Sequence, residues 1–392
     1  MTTPGRSPHG SAQWICRRGQ KAGPAARLVQ EGELLLPEYR IAAIPGDGIG
    51  AEVLGAGLRI LEAVAAREPE LRLQVESFPW GSDYYRREGH MMPEDALETL
   101  KGFDAVYFGA VGDPEVPDDV TLWGLRLAIC QGFDQYANLR PARILPGVKS
   151  PLAGVTGADI DWIIVRENTE GEYSGAGGRV HRGLPEELAV ETAVFTRSGI
   201  RRVQKVAFEL ARSRRRKHLT LVTKSNAQRH GMVLWDEVFA ELAADYPEVT
   251  TEKVLVDAMT TRMVLRPASL DVVVASNLHA DILSDLAAAL SGSLGIAPTA
   301  NLNPEGAFPS MFEPIHGAGF DIAGKGIANP VGAFWSAALL LEHLGQAGPA
   351  RALMTAVEQT LAAGVLPPDL GGSATTEEVT ERVRRALEGE NA

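Results

Sequence analysis

Hydrophobic and polar positions follow two periods along this chain, one typical of strands and one typical of helices. The clearest change of period lies in DVVVASNLHADILSDLAAAL at 271–290. Three consecutive valines at 272–274 predict a strand buried on both faces, because such a β-branched run has no polar face. Apolar residues then recur at spacings of three and four from Ile282 to Leu290, which predicts a helix.

Two acidic residues near the start of that helix are candidate metal ligands. Asp281 and Asp285 are four positions apart, so their carboxylates project from one face. Mg²⁺ and Mn²⁺ prefer oxygen ligands, usually one or two carboxylates completed by substrate and water. The helix dipole alone also favours acids at a helix N-terminus, so this stretch by itself leaves both interpretations open.

The strand-then-helix pattern recurs along the chain and predicts an α/β fold with crossover connections. Further strands are predicted at 40–45, 71–78, 105–111, 136–144, 162–165, 219–223 and 254–256. Further helices are predicted at 50–66, 93–100, 122–131, 200–211, 232–243 and 329–344. A chain of 392 residues is expected to form two lobes rather than one core.

A glycine-dense segment at 174–183 precedes an alternating segment at 187–195. This pattern predicts a protruding hairpin arm near 172–195. An exposed strand pair of this kind usually needs a partner to cover it, so we expect a homodimer joined through the arm.

Composition narrows the class of protein. A net charge of -12 argues against nucleic-acid and anionic-membrane partners, and no apolar run is long enough to span a bilayer. Cys16 and Cys130 are the two cysteines, which excludes a disulfide framework and favours a cytoplasmic location. Residues 1–37 are basic and rich in Gly, Pro and Ser; we interpret them as a disordered or extraneous extension, with a transit-like peptide as the alternative.

Residues able to carry chemistry stand at strand ends, where α/β sheets place their active sites. Lys224 and Asp257 each follow a predicted strand, and Arg140, Arg166 and Tyr173 lie in or after others. Arginines suit the capture of carboxylates, and a lysine with a tyrosine suits proton transfer. Each residue alone also has a structural explanation, as a turn tyrosine, a solvated lysine or a paired arginine.

Six motifs in order give these residues a context. They are PGDGIG (45–50), YANLRP (136–141), VRENTEGEYS (165–174), TKSN (223–226), ASNLHADILSD (275–285) and FEPIHG with DIAGKGIANP (312–330). From about Tyr39 to near the C-terminus, the chain resembles the isocitrate/isopropylmalate dehydrogenase family of metal-dependent β-decarboxylating dehydrogenases. Segments 83–95, 108–124 and 132–141 are most similar to its tartrate dehydrogenase and decarboxylating D-malate dehydrogenase branch.

The resemblance implies a two-lobed α/β fold that lacks the usual Rossmann topology. It implies a discontinuous NAD-binding lobe at 38–135 plus 292–392, and a substrate, metal and dimerisation lobe at 136–291. The residues that it places against NAD are Glu313, His316, Gly317, Asp321 and Asn329. A carboxylate at Asp321 suits an NAD ribose and repels a 2′-phosphate, so NAD is expected rather than NADP.

The resemblance also implies the chemistry. Asp281 and Asp285, with Asp257 of the partner subunit, would hold Mg²⁺ or Mn²⁺, with K⁺ as a possible activator. Lys224, also from the partner, would accept the hydroxyl proton of a small 2-hydroxy dicarboxylate, and Tyr173 would protonate the enolate carbon. The homodimer would therefore share its two active sites between subunits. Arg140 and Arg166 would bind the substrate carboxylates.

One departure from the family pattern bears on substrate choice. The family has an arginine four residues before the residue equivalent to Asp134, and this chain has Cys130 there. A thiol cannot replace a guanidinium, but Arg126 lies one turn earlier and could reach the same cleft. Trp123 and Gly124 replace the residues that hold larger substrates, which favours D-malate or tartrate.

Two alternatives remain open at this stage. One is a 3-isopropylmalate or isocitrate-type dehydrogenase. The other is a non-catalytic regulatory subunit, which the missing arginine at Cys130 permits and the complete set of other site residues opposes.

Overall fold

The computed structural model describes residues 27–31 and 34–389. Most of the predicted N-terminal extension, residues 1–26 with 32 and 33, lies outside the described residues. Strand β1 (Arg27–Glu31) pairs antiparallel with the start of β2 (Leu34–Gly46), within the range assigned to that extension.

Strands and helices alternate along part of the chain, as the hydrophobic pattern predicts. After β1 and β2 the strands are β3 (Arg72–Ser77), β4 (Ala105–Ala110), β5 (Ala137–Arg143), β6 (Asp161–Glu167), β7 (Gly177–Val180), β8 (Leu188–Glu191), β9 (His218–Thr223), β10 (Thr250–Leu255), β11 (Val272–Ala275), β12 (Pro298–Leu302) and β13 (Ser310–Pro314). The helices are α1 (Gly50–Arg67), α2 (Ser82–Glu88), α3 (Ala96–Leu100), α4 (Asp118–Thr121), α5 (Leu127–Gly132), α6 (Arg197–Ser213), α7 (Gly231–Ala243), α8 (Val256–Leu265), α9 (Asn277–Ser291), α10 (Val331–His343), α11 (Ala347–Ala362) and α12 (Thr376–Glu388).

A single eleven-stranded sheet runs through the described part of the molecule. Its order is β1-β2-β4-β13-β12-β5-β6-β11-β9-β10, and β3 also pairs with β2. Parallel pairs occupy both halves, whereas β12 and β5 pair antiparallel with each other and with their outer neighbours. The two halves are therefore joined through antiparallel strands, which differs from the fully parallel Rossmann sheet.

The opening stretch of the sequence folds as its pattern predicts. Val272, Val273 and Val274 are buried between parallel neighbours β6 and β9. Burying each such side chain contributes about 1.5–3 kcal/mol relative to leaving it exposed. Helix α9 follows at once, so the chain turns from a buried strand into a helix at the sheet edge where parallel strands end.

The predicted lobe boundaries fall at identifiable places in this fold. The boundary at 135–136 directly precedes β5, and the boundary at 291–292 coincides with the end of α9. The division into two lobes stays a prediction.

The hairpin formed by β7 and β8 lies within the predicted arm. Its strands pair antiparallel from Gly177 opposite Glu191 to Val180 opposite Leu188, outside the main sheet. Apolar side chains on it are half exposed, including Val180 and Leu188. Across the described residues, no helix has both the length and the apolar character needed to cross a membrane.

Candidate active site

Three donors converge on the carboxylate of Asp281, and we call these four residues the Asp281 cluster. Oδ1 of Asp281 accepts a hydrogen bond from Nη1 of Arg140 at 3.0 Å and another from Nη1 of Arg166. Oδ2 of Asp281 accepts from the Tyr173 hydroxyl at 3.2 Å. The structure therefore brings together four residues that the sequence analysis placed in one site.

Strand register explains why the two arginines meet. Strands β5 and β6 are antiparallel neighbours, with Arg140 opposite Ile164 and Asn138 opposite Arg166. Arg140 and Arg166 are thus diagonal neighbours on one face of the sheet, within reach of the same group. Helix α9 places Asp281 over that face.

The charged groups of the Asp281 cluster shift one another's pKa values. Burial opposes ionisation of Asp281, but the guanidinium groups of Arg166 and Arg140 outweigh it and hold the pKa of Asp281 below its usual value. Burial and the neighbouring Arg166 lower the pKa of Arg140 to about 10. Burial, together with the negative charge of Asp281, raises the pKa of Tyr173, so this phenol stays protonated at neutral pH. The cluster can bind an anion and donate a proton.

Arg126 reaches into the same region. A π-helical turn, Leu122–Arg126, separates α4 from α5 and carries Arg126 at its end. Both Nε and Nη2 of Arg126 contact Oε1 of Glu313, at 2.8 and 2.7 Å, in a buried ion pair. Arg126 also acts electrostatically on Asp281 and on the fully buried Cys130.

Cys130 itself is a neutral group at this position. Burial raises the pKa of its thiol to about 11, although the positive charge of Arg126 counteracts part of that effect. Arg126 is the nearest guanidinium on the same helical segment, and its replacement of the family arginine at position 130 stays a prediction.

Lys224 and Asp257 form a separate pair. Lys224 follows β9, and its Nζ lies 2.5 Å from Oδ1 of Asp257 at the start of α8. This hydrogen bond lowers the pKa of Asp257. Neither residue hydrogen-bonds to the Asp281 cluster within the described part of one chain.

The predicted metal ligands are not gathered in a single chain. Among residues 27–31 and 34–389, no three His, Cys, Asp or Glu side chains are grouped as a metal site. Asp285 lies one turn beyond Asp281 on α9, and partial desolvation of its carboxyl, together with the charge of Asp281, raises its pKa. The prediction that Asp257 comes from a partner subunit is consistent with this separation and is not tested by one chain.

The predicted cofactor residues line the end of β13 and the loop after it. Glu313 is buried on β13, and Nδ1 of His316 lies 2.9 Å from the carbonyl of the adjacent Gly317. Asp321 is exposed. Asn329 is held before α10, where its Nδ2 donates to Asp369 at 2.9 Å and its Oδ1 accepts from the backbone of Val331.

The glycine turn at 45–50 supports this loop, a role that the sequence analysis did not find. The amide of Ile49 donates to the carbonyl of Ala318 at 2.7 Å. Gly48 has a φ of +52°, and a Cβ there would lie 2.0 Å from the same carbonyl, so only glycine permits this approach. Asp47 is used internally, because its carboxylate accepts from Ser82 and from the amide of Gly112.

Sequence reasoning also missed polar residues that hold the site in place. Oδ1 of Asn138 accepts from Nε of Arg140 at 2.9 Å, and Oγ of Ser284 accepts from Nη1 of Arg140 at 2.6 Å. Nε2 of Gln131 donates to the carbonyl of Tyr173 at 3.0 Å. Asn138 stands two positions before Arg140 on the same strand, so the period of two along a strand could have indicated it.

Comparison with known proteins supplies independent evidence. A probable tartrate dehydrogenase/decarboxylase of Agrobacterium vitis is 63% identical over 354 residues, covering 90% of this chain and 99% of its own. The decarboxylating D-malate dehydrogenase of Escherichia coli (strain K12) is 50% identical over 361 residues, covering 90% of this chain and 99% of its own.

Solved structures agree with the sequence matches. The crystal structure of isocitrate dehydrogenase from Methylococcus capsulatus superposes with a TM-score of 0.80 at 33% identity, covering 89% of this chain and 99% of that one. The predicted α/β fold class of this family is thereby confirmed. The sequence profile described as isocitrate/isopropylmalate dehydrogenase matches residues 40–383. The chain therefore belongs to the isocitrate/isopropylmalate dehydrogenase family.

Proposed function

We propose that this protein catalyses the metal-dependent, NAD-linked oxidative decarboxylation of a small 2-hydroxy dicarboxylic acid, D-malate or tartrate. The observation that carries the proposal is the convergence of Arg140, Arg166 and Tyr173 on Asp281. This arrangement occurs in a chain that closely resembles proteins named for those two substrates.

The arginines suit a dianionic substrate. Arg140 and Arg166 share one aspartate oxygen, so a substrate carboxylate can take over part of their hydrogen bonding. Nη1 of Arg126 makes no hydrogen bond within the described residues and can contact a second carboxylate. The ring of Trp123 lies against Gly175, where a Cβ would be 3.0 Å away.

The donor set fits a divalent metal. Asp281 and Asp285, with Asp257 of the partner subunit, would offer only carboxylate oxygens, which Mg²⁺ and Mn²⁺ prefer. The lowered pKa of Asp281 keeps that ligand ionised. When bound, the metal would polarise the C2 hydroxyl and stabilise negative charge after CO₂ leaves. We propose K⁺ as an activator of the metal-bound enzyme.

Two side chains would move protons. Lys224 of the partner subunit would accept the proton of the C2 hydroxyl. Tyr173 holds a proton on its hydroxyl and donates it to the carbon left after decarboxylation. Each positioned proton transfer typically contributes ~10²–10⁴-fold to the rate.

The loop after β13 would bind the nicotinamide cofactor. Glu313, His316, Gly317, Asp321 and Asn329 are its proposed contacts, and the exposed Asp321 carboxylate suits the ribose hydroxyls of NAD. NAD⁺ would accept the hydride from C2.

Exposed apolar surface supports a homodimer with shared sites. Val180, Leu184, Leu188 and Val190 are half exposed on the hairpin arm. Leu265 on α8 is 72% exposed, and Ile282 on α9 is 54% exposed although the helix period alone would place it toward the core. Apolar groups of this size on one lobe are typical of a surface that a second subunit covers.

Substrate oxidation assays test the proposal. NADH formation is measured with Mn²⁺, with and without K⁺, on D-malate, tartrate, 3-isopropylmalate and isocitrate. We expect turnover with D-malate or tartrate and its loss on chelation. Turnover confined to isopropylmalate or isocitrate would contradict the substrate assignment. No NADH formation with any of the four substrates, although NAD still binds, would favour the alternative of a non-catalytic regulatory subunit.

A further inference from the structure

Asn301 on β12 occupies the centre of a buried hydrogen-bond network that none of the proposed roles includes. Its side chain has no exposed surface. Oδ1 of Asn301 accepts from Nδ2 of Asn138 at 2.6 Å, from Nδ2 of Asn168 at 3.1 Å and from Nη2 of Arg126 at 3.4 Å. Its Nδ2 donates to Oε1 of Glu313 at 2.8 Å.

The surroundings of Asn301 fix the orientation of its amide. Three donors face the oxygen, and the Glu313 carboxyl oxygen faces the nitrogen. A flipped amide would set its NH₂ group against donors and its oxygen against Glu313, leaving buried groups unpaired. Only a group that accepts on one side and donates on the other satisfies both neighbours.

The network crosses the sheet from strand to strand. Asn301 lies opposite Asn138 of β5 in the strand register, and Asn138 lies opposite Arg166 of β6. Asn138 in turn accepts from Arg140, which binds Asp281. A continuous series of hydrogen bonds therefore joins Glu313, at the proposed cofactor loop, to the Asp281 cluster.

We propose that Asn301 is a positioning residue that couples cofactor binding to substrate binding, an inference that rests on the proposed function of both sites. Without substrate or cofactor, Glu313 and Arg126 form an ion pair with each other. A cofactor that hydrogen-bonds to Glu313 weakens the Glu313–Arg126 ion pair, so Arg126 can bind a substrate carboxylate more strongly. A substrate carboxylate bound to Arg126 weakens the same ion pair, so Glu313 can bind the cofactor more strongly. Asn301 holds the pair and Arg140 in one arrangement, so the two events affect each other reciprocally.

Equilibrium binding separates this role from a merely structural one. The dissociation constant of malonate, a dicarboxylate with no hydroxyl to oxidise, is measured with Mn²⁺ in the presence and absence of saturating NAD⁺. In the wild-type protein we expect NAD⁺ to tighten malonate binding by about 5-fold or more. The coupling ratio is the dissociation constant of malonate without NAD⁺ divided by that with NAD⁺. In Asn301→Leu, which removes both hydrogen-bonding functions at similar size, we expect this ratio to fall to about 1.

Two further variants complete the test. Thr299→Val is the matched control, because Thr299 is buried on the same strand opposite Glu313 and its hydroxyl has no hydrogen-bond partner within the described residues. It should keep the wild-type ratio. Asn301→Asp keeps the acceptor toward Arg126 and Asn138 but sets a carboxylate against Glu313, so it should also lose the coupling.

The outcomes distinguish this inference from the proposed function. Turnover of a hydroxy acid together with no coupling in the wild-type protein overturns the role of Asn301 and leaves the proposed function standing. An unchanged ratio in both Asn301 variants overturns it as well. If both Asn301 variants fail to fold, the residue is a stability element only, which again contradicts the proposal. Coupled binding without any turnover would count against the proposed function alone.

Discussion

At the scale of single residues, the candidate active site is held together by a few charged side chains that share hydrogen-bond partners. Asp281 is shared by two arginines and a tyrosine, and Glu313 neutralises Arg126. Buried ion pairs of this kind cost desolvation free energy, so they are weak evidence for stability and better evidence for a binding site. Cys130 stands where the family has an arginine, and the proposal that Arg126 compensates for it rests on the position of Arg126 one helical turn earlier.

Tyr173→Phe should reduce kcat by about 10²-fold or more, because it removes the proposed proton donor while keeping the ring. NAD⁺ affinity should not change, since the Tyr173 hydroxyl hydrogen-bonds to Asp281 and, among the described residues, to none of the proposed cofactor contacts. Steady-state kinetics and equilibrium binding measure the two effects. Tyr246→Phe is the control, because it also removes a tyrosine–carboxylate hydrogen bond, to Glu209, away from the site. Near-normal kcat in Tyr173→Phe would remove this residue from the mechanism.

At the scale of elements, the sequence predicted strands and helices well where the hydrophobic period was strong. The strand at 272–274 and the helix after it are found as predicted. The helix predicted at 122–131 is instead divided into a π-helical turn and α5, and α4 directly precedes it. Apolar spacing does not distinguish a π turn from an α turn, so the pattern could not show it. Such turns often lie at functional sites, and this one carries Arg126.

Helix α10 contains a carboxyl group whose environment makes stability depend on pH. Burial raises the pKa of Glu342 from 4.5 to about 7, although Arg351 counteracts it. The folded state therefore binds this proton more tightly than the unfolded state. The resulting stability is present below pH 4.5 and is lost as pH rises towards 7, by on the order of 1–3 kcal/mol.

Glu342→Gln should therefore raise the melting temperature at pH 8 much more than at pH 5, since the amide carries no charge to desolvate. Thermal unfolding followed by circular dichroism at the two pH values measures the difference. Glu248→Gln, at an exposed glutamate, shows what removal of one surface charge does by itself. An equal shift at both pH values in Glu342→Gln would contradict the effect of burial.

At the scale of the whole molecule, the family and the class of enzyme, a dehydrogenase, were predictable from the sequence, and the comparisons confirm both. Six local motifs were enough to predict the family, because the characteristic residues of each motif lie in one short segment of the sequence. The network through Asn138 and Asn301 was not predictable, because it is made by strands far apart in the chain. The loop support from Gly48 to Ala318 was missed for the same reason.

Shared active sites can be tested by mixing two inactive variants. Lys224→Met removes a residue that the partner subunit would supply, and Tyr173→Phe removes one that belongs to the site itself. A mixed dimer should carry one doubly altered site and one intact site. Refolding the two variants together should restore up to about a quarter of wild-type activity, as expected for random pairing in a twofold dimer.

Each variant refolded alone serves as the control for that recovery and should stay inactive. A mixture that also stays inactive, although mixed dimers form by native mass spectrometry, would place Lys224 and Tyr173 in the same subunit's site.

The contact between Lys224 and Asp257 has a consequence for a newly made chain. If the proposed sharing of sites holds, the base and one metal ligand of a solitary subunit, Lys224 and Asp257, pair with each other, and that subunit alone has no complete active site. Catalytic capacity would then rise more steeply than protein abundance when expression is low, and would follow it in proportion once most chains are paired.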